Sequence, residues 1–355
     1  MTVLEPVLSR IEPIFSPRPW GARSLAPLFP EKTGLQELIG EAWLTGQECR
    51  IANGPFAGKS LGESWRAMPV EWRGTHVNHY PDFPVLVKFI FPHDKLSIQV
   101  HPDDAYAAKY EQAAGGRGKT EMWHILSAEP GAELLLGLKP GVTREQFLEA
   151  LSQNTLEDLF VHELVRPGET YFVPARTQHA IGPGTILCEV QEYSDLTYRV
   201  YDFGRVDGSG KPRALHIEKA LEVTSFEGTR AGKVPPLALH SPDANIRLLA
   251  ACQFFATERW DCDRTTAIEP DPIHFQLLII LQGTGRLYDG VSMAYRAGTA
   301  WFLPASLPTL YLQPDEATSL LRVYVPRPDL LRTQLLNQGL DEKAVSRVFV
   351  ECKGL

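Results

Sequence analysis

Residues 95–104, KLSIQVHPDD, alternate apolar Leu96, Ile98 and Val100 with polar Ser97, Gln99 and His101. That period is the period of a β-strand, whose successive side chains point to opposite faces. Gln99 and His101 therefore share a face and reach the same point in space. A carboxylate at Glu121 and a second imidazole at His179 would complete a four-ligand shell. Two neutral imidazoles with carboxylate and amide oxygens suit one zinc, or another divalent first-row ion, better than a soft copper site. Such a set leaves at least one coordination position open for chemistry. A lone histidine is usually a hydrogen-bonded structural residue, so only the combination singles these four out. His76, His79, His93, His124, His162, His240 and His274 have no comparable setting and read as ordinary; His216, in RALHIEKAL, stays open.

Two cations and a carboxylate stand near these ligands in the chain. Lys119 precedes Glu121 by two residues in GKTE, so in extended backbone it shares the ligand face. Arg199, in TYRVYD, alternates with Tyr198 and Val200 and points to one side of its strand. A positive pair beside a metal, in a chain of formal net charge -8, would favour an anionic substrate, above all a phosphate. The bland alternative for each is surface charge. Glu189, in CEVQEYSD, could shuttle a proton or simply answer a neighbouring strand. GGRGK at 115–119 lacks the GxxxxGK[ST] spacing of a phosphate loop, and no nucleophile elbow supports acyl chemistry.

The elements that must carry these residues are mostly strands. With 28 Gly and 28 Pro between short β-branched and aromatic runs, the chain has the texture of a sandwich or barrel. Strands are expected at 84–91, 96–102, 121–127, 132–138, 170–175, 186–193 and 196–203. A short helix is expected after His101 and a pair of helices from 143 to about 164, where Thr143 and Gln146 form a capping-box pattern. The tail 328–350 reads as a terminal helix. A repeat is also present. GETYFVPARTQHAIG (168–182) and GTAWFLPASLPTLYL (298–312) share the frame Gly, two residues, aromatic, Phe, aliphatic, Pro, Ala. The β-domain is thus expected to be duplicated, with Thr309 opposite His179 and the ligand lost from the second copy. The Gly/Pro-rich stretch 227–243 suggests the boundary: a catalytic unit at 1–235, with a helical insertion near 141–165, and a degenerate second unit at 236–355.

At 355 residues two compact units are the natural expectation. The acidic balance, without a basic block, disfavours a nucleic-acid partner. No run of about 18 apolar residues suggests a membrane span, and the start MTVLEPVLSRIEPIF does not have the form of a secretory signal. The five cysteines are scattered without CxxC spacing, as in reduced cytosolic proteins. A cytoplasmic location is expected; the oligomeric state is not legible.

The motifs QVHPDD (99–104), GKTEMW (118–123), YFVPARTQHAIG (171–182), CEVQEYSDLTYRVYDFGR (188–205) and LHIEKAL (215–221), with RPWGARSL and GEAWLTGQE upstream, together resemble the type I mannose-6-phosphate isomerases of the shorter bacterial form. The resemblance spans nearly all of the first 225 residues. It implies a mainly β double cupin, two jelly-roll β-barrels with a small helical insertion and a C-terminal helix. It also implies one zinc ion held by Gln99, His101, Glu121 and His179, an active-site arginine at Arg199, and a phosphorylated hexose as substrate. The reaction implied is the interconversion of mannose 6-phosphate and fructose 6-phosphate. Lys119 and Arg199 would steady the enediolate or the phosphate, with Glu189, a metal-bound hydroxide and Lys119 as candidate bases. The sequence departs from the family pattern at Arg176 and His124, positions expected to alter substrate fit near the metal. The ligand set leaves other readings open: another phosphosugar isomerase, an iron or manganese cupin oxygenase, or a non-catalytic sugar-phosphate binder.

Overall fold

The structure is a computed structural model and describes residues 4–206, 210–228, 231–350 and 352. It consists of four antiparallel sheets in two pairs. In the first pair, a seven-stranded sheet contains the strands Val85–Ile90, Glu121–Ala128, Thr170–Val173 and Thr185–Glu192. It faces a five-stranded sheet containing Ile98–Val100, Glu133–Leu138, Phe160–Leu164, His179–Ile181 and Tyr198–Tyr201. The second pair repeats the plan, with Ala256–Cys262, Gln276–Gln282, Ala300–Leu303 and Thr318–Tyr324 in a seven-stranded sheet and a four-stranded sheet opposite. All seven strands expected in the first half are present, each within a few residues of its expected bounds.

Apolar packing joins the two barrels. The largest core cluster takes Val87, Phe89 and Phe172 from one barrel and Phe255, Leu277 and Phe302 from the other. Phe172 and Phe255 meet across the junction with ring centroids 5.9 Å apart. By strand alternation Ile98 and Val100 pack with Phe147 on the outer face of the first barrel's five-stranded sheet, while Trp123, Leu134 and Leu136 line that barrel's interior; Leu278, Leu287 and Leu312 form the corresponding cluster of the second barrel. Residues 229 and 230, in the expected linker, lie outside the described residues.

One expectation about helices is corrected, and the expected C-terminal helix is present but divided in two. Arg144–Gln153 is an α-helix capped by the reciprocal Thr143 and Gln146 bonds, but the chain then makes a 3-10 turn, Leu156–Leu159, and a strand, Phe160–Leu164. The strand alternates buried and exposed positions and pairs with Glu133–Leu138, so tertiary pairing overrides the helix-compatible LEDL and HEL composition. The tail forms two helices, Pro328–Asn337 and Glu342–Val348, separated by Gly339 in the left-handed region (φ 81°). The N-terminal strands divide between the barrels: Ser9–Ile11 pairs with Ala300–Leu303 in the second pair of sheets, while the next strand, Ile14–Ala22, joins the first.

Candidate metal centre and substrate cavity

The chain brings the ligand segments together through local devices that its residue types dictate. Asp103 caps the helix Asp104–Tyr110 by accepting from Tyr106 N at 2.8 Å. This helix carries the chain out and back from His101 to Lys119. At the return, Gly118 passes so near the Asp103–Asp104 backbone that a Cβ would lie 2.6 Å from Asp104 N, a separation no side chain tolerates. Arg176 N donates to the His101 carbonyl at 2.7 Å, which ties the corner before His179 to the other histidine segment. Arg176 holds a left-handed conformation there (φ 70°), costly for a residue with a Cβ.

His101, Glu121 and His179 are fully buried, and their candidate ligand atoms lie within 4.8 Å of one another. Glu121 Oε1 is 3.8 Å from His101 Nε2 and 3.3 Å from His179 Nε2. The imidazoles are oriented from behind. His101 Nδ1 donates to the Leu196 carbonyl at 2.8 Å and His179 Nδ1 to the Thr177 carbonyl at 2.9 Å, so both Nε2 lone pairs face Glu121. Such carbonyl bonds are the usual way a metal-binding histidine is fixed in one tautomer. Burial, with the Lys119 charge adding to it, lowers His101 well below the ordinary histidine range and His179 to about 4. Both rings are therefore neutral at physiological pH, the form that binds a metal. Gln99 lies beside them, its Nε2 3.3 Å from His179 Nε2, on a strand paired with both His179 and Arg199.

The decisive detail is Glu121. Its Oε1 is fully buried without a hydrogen-bond partner among the described residues and faces the two imidazoles, while Oε2 meets the Lys119 ammonium. An orphaned buried carboxylate oxygen carries a large desolvation cost, and a divalent cation among these three groups would remove it. The donor set fits such an ion.

Lys119 closes the other side of the cluster. Its Nζ is 2.6 Å from Glu121 Oε2, 3.3 Å from His101 Nε2 and 3.6 Å from Glu189 Oε1. Burial alone would lower its pKa, but Glu121 and Glu189 outweigh this and raise it above the ordinary lysine value. Glu189 accepts from Trp123 Nε1 at 3.0 Å and sits 3.8 Å from Lys88 Nζ. A cavity of about 430 Å³ opens over this group, lined by Gln99, Lys119, Glu189 and Arg199 among others. Arg199 is tethered by one bond, Nη1 to the Ala214 carbonyl at 2.9 Å, and its buried Nε has no partner. The structure thus brings together all seven residues singled out in the sequence.

Sequence reasoning missed Lys88, Arg18 and Arg213 on the same wall. Lys88 had a visible signal: one cation within the apolar run PVLVKFIF, buried to 2 % exposure beside Asp195 at 3.2 Å. Arg18 and Arg213 arrive from distant segments, Arg213 with no local pattern and Arg18 at the head of the RPWGARSL motif. The expectation for Arg176 and His124 is corrected. Arg176 lines a different cavity, with Nε bonded to the Val223 carbonyl. His124 faces the second barrel, accepting from Arg259 Nη1 at 3.2 Å and donating to Thr170 Oγ1 at 3.0 Å. His216 accepts from the Arg199 amide at 3.2 Å, and so supports that strand.

A buried His2Glu cluster, open to a polar cavity inside one of two duplicated β-barrels, defines a metal-dependent enzyme of the double-cupin class. No protein-family model matches the chain, but individual proteins do. A probable mannose-6-phosphate isomerase of Bacillus subtilis, GmuF, is 34% identical over 303 residues, covering 83% of this chain and 92% of the relative. The chain belongs to the mannose-6-phosphate isomerase family. The crystal structure of the Bacillus subtilis mannose 6-phosphate isomerase matches with a TM-score of 0.81 at 28% identity, over 89% of this chain and 99% of that one. A zinc-bound mannose 6-phosphate isomerase shares the fold, with a TM-score of 0.70 at 17% identity over 90% and 99% of the two chains.

Proposed function

We propose that this protein interconverts mannose 6-phosphate and fructose 6-phosphate, with one zinc ion held by His101, Glu121, His179 and Gln99. The observation that carries the reading is the orphaned Glu121 Oε1 facing two pre-oriented imidazole nitrogens at the base of a cation-rich cavity. When bound, the ion supplies Lewis-acid polarisation of the sugar oxygens, lowering the cost of charge developing on an enediolate.

The remaining work falls to side chains of this chain. Isomerisation moves one proton between C2 and C1 of the open-chain sugar and a second between O2 and O1, so that no atom is gained or lost. Lys119 is held protonated by its two carboxylates, so it supplies positive potential rather than a free base. Three carboxylates without a coordinating role line the cavity wall, Glu41, Glu189 and Asp195; Glu189 is the one beside Lys119, at 3.6 Å, and it takes the proton from one carbon and returns it to the other. Arg199, with Arg18 and Arg213 on the same wall, binds the phosphate through charge-assisted bonds. Catalysis belongs to the unit at 1–235, which lends the strand Ser9–Ile11 to the second barrel, and the unit at 236–355 supports it; strand Gly232–Lys233 lies in the first barrel's sheet and Leu237–Leu239 in the second's. The phosphohexose is the partner in this reading, without nucleic acid or membrane. No helix among the described residues is long and apolar enough to cross a membrane, and the five free thiols are in keeping with a cytoplasmic setting.

A coupled assay of fructose 6-phosphate conversion tests the proposal. Chelation should abolish turnover and added zinc should restore it; a rate indifferent to metal removal would refute it.

A further inference from the structure

The second barrel contains a cavity of about 230 Å³, and strand register places it. Glu121 pairs with Val173, and 130 positions beyond Val173 Leu303 pairs with Gln276. The same superposition sets Lys119 against His274, since each lies two residues earlier. It sets Glu189 against Arg322 and Lys88 against Glu258, which are cross-strand partners in their respective sheets. All three residues from the first barrel line the substrate cavity, and all three counterparts line the second cavity. The second cavity is therefore the duplicate of the first.

It has lost the metal chemistry. Gln276 replaces Glu121, with its amide engaged by Arg322 Nε at 2.8 Å and the Glu269 carbonyl at 3.0 Å. Thr309 replaces His179 and donates to Glu269 Oε2 at 2.9 Å. The space has not been filled with aliphatic groups. Glu258 and Arg322 form an ion pair at 3.2 Å, their side chains 6% and 17% exposed, although well-packed apolar residues often serve stability as well or better than a buried pair. His274 is 6% exposed, stacks on Tyr324 with centroids 4.4 Å apart, and has a buried Nδ1 without a hydrogen-bond partner. A buried orphan of this kind is destabilising unless a partner meets it.

We propose that this cavity binds one neutral polyhydroxylated molecule the size of a single sugar ring. Its acids, Glu258 and Asp271, are balanced by Arg322 and Arg327, so it offers no surplus charge to a phosphate. Arg322 lies over the rings of Trp260 and Tyr324 and His274 stacks on Tyr324, so the wall presents planar hydrogen-bonding groups rather than bare aromatic faces, and these suit a ring that presents hydroxyls at its edge. The volume, below the roughly 300 Å³ where drug-sized sites begin, suits a monosaccharide.

The inference extends beyond the isomerase reading and needs no turnover to test it. Ligand-observed NMR would follow free mannose and mannitol titrated into the zinc-loaded full chain, with saturating mannose 6-phosphate present to block the metal-side cavity. One saturable site is expected. Leu330, 43% exposed where the helix Pro328–Asn337 borders the cavity, can be enlarged without opening the core. Leu330→Trp should weaken binding at least about tenfold and leave the isomerase rate unchanged. Absence of saturable binding, or binding that ignores Leu330→Trp, would overturn the proposal. If the chain does not isomerise, the titration on chelated protein with the same variant still decides it.

Discussion

Glu121→Gln should destabilise the metal-free protein, and a second substitution should reverse that loss without restoring activity. Lys119 is 4% exposed and faces Glu121 Oε2 at 2.6 Å, with Glu189 as its next carboxylate at 3.6 Å. At an effective dielectric of about 20, Coulomb's law gives roughly 6 kcal/mol for the shorter contact. Part of that is offset because the carboxylate no longer has to be desolvated. Breaking a buried pair leaves a net cost of about 3–5 kcal/mol, and the surviving Glu189 contact puts this case near the lower figure. Glu121→Gln with Lys119→Met removes both charges, so stability should return to within about 1 kcal/mol of the parent, a recovery of about 2–3 kcal/mol relative to Glu121→Gln alone. The assay is urea unfolding of chelated protein, repeated with zinc. Zinc at 100 times its dissociation constant should stabilise the parent by about 2.7 kcal/mol and neither variant appreciably. A chelated Glu121→Gln protein as stable as the parent would refute the energetic argument. A double variant that still gains stability from zinc and turns over would refute the ligand assignment.

Three further outcomes are expected. Arg199→Ala should lower kcat/KM by about 10- to 150-fold, the loss of a charge-assisted hydrogen bond of roughly 1.5–3 kcal/mol, with little change in the urea midpoint; equal activity would make Arg199 a mere wall residue. His124 is held near 3 by burial, with the Arg259 charge adding to it. Because this pKa is depressed, the unfolded chain binds a proton that the folded chain does not as pH falls from about 6.5 toward 3, so stability is lost across that window. His124→Gln should flatten the loss by about 1.4 kcal/mol per pH unit, read by urea unfolding at stepped pH; parallel curves would count against it. Phe255→Ala, which opens the barrel junction beside Phe172, should cost about 3–5 kcal/mol; a shift in urea midpoint worth less than about 1 kcal/mol would mean the barrels do not depend on that contact.

The candidate ligand trio was readable because period-two alternation and the Pro-Ala corner are local signals that survive into the fold. The same rule, applied to the strand Glu121–Ala128, separates Glu121 and Trp123 from Met122 and His124. It would have turned His124 away from the metal, as the contact with Arg259 confirms. Arg213 had no signal and Arg18 only its place at the head of the RPWGARSL motif, because long-range packing is what delivers both to the cavity wall. The misassigned helix near 160–164 failed for a related reason: FVHEL is compatible with either period, and the neighbouring strand decided between them. Lys88 was overlooked because one cation in an apolar run resembles a break in the strand, whereas Glu189 and Asp195 make it part of a buried charge group.

The crossed N-terminal pairing bears on how the protein comes into being. Ser9–Ile11 leaves the ribosome long before its hydrogen-bonding partner, Ala300–Leu303, which follows the whole of the first barrel. Until then the segment must wait unpaired, and the closing step has a very long sequence separation, the kind that slows folding. Severing the polypeptide between barrels would strand the later half with a bare sheet margin, an invitation to intermolecular pairing. Co-expressing the two fragments, rather than producing the later one alone, is accordingly the way to keep it dispersed.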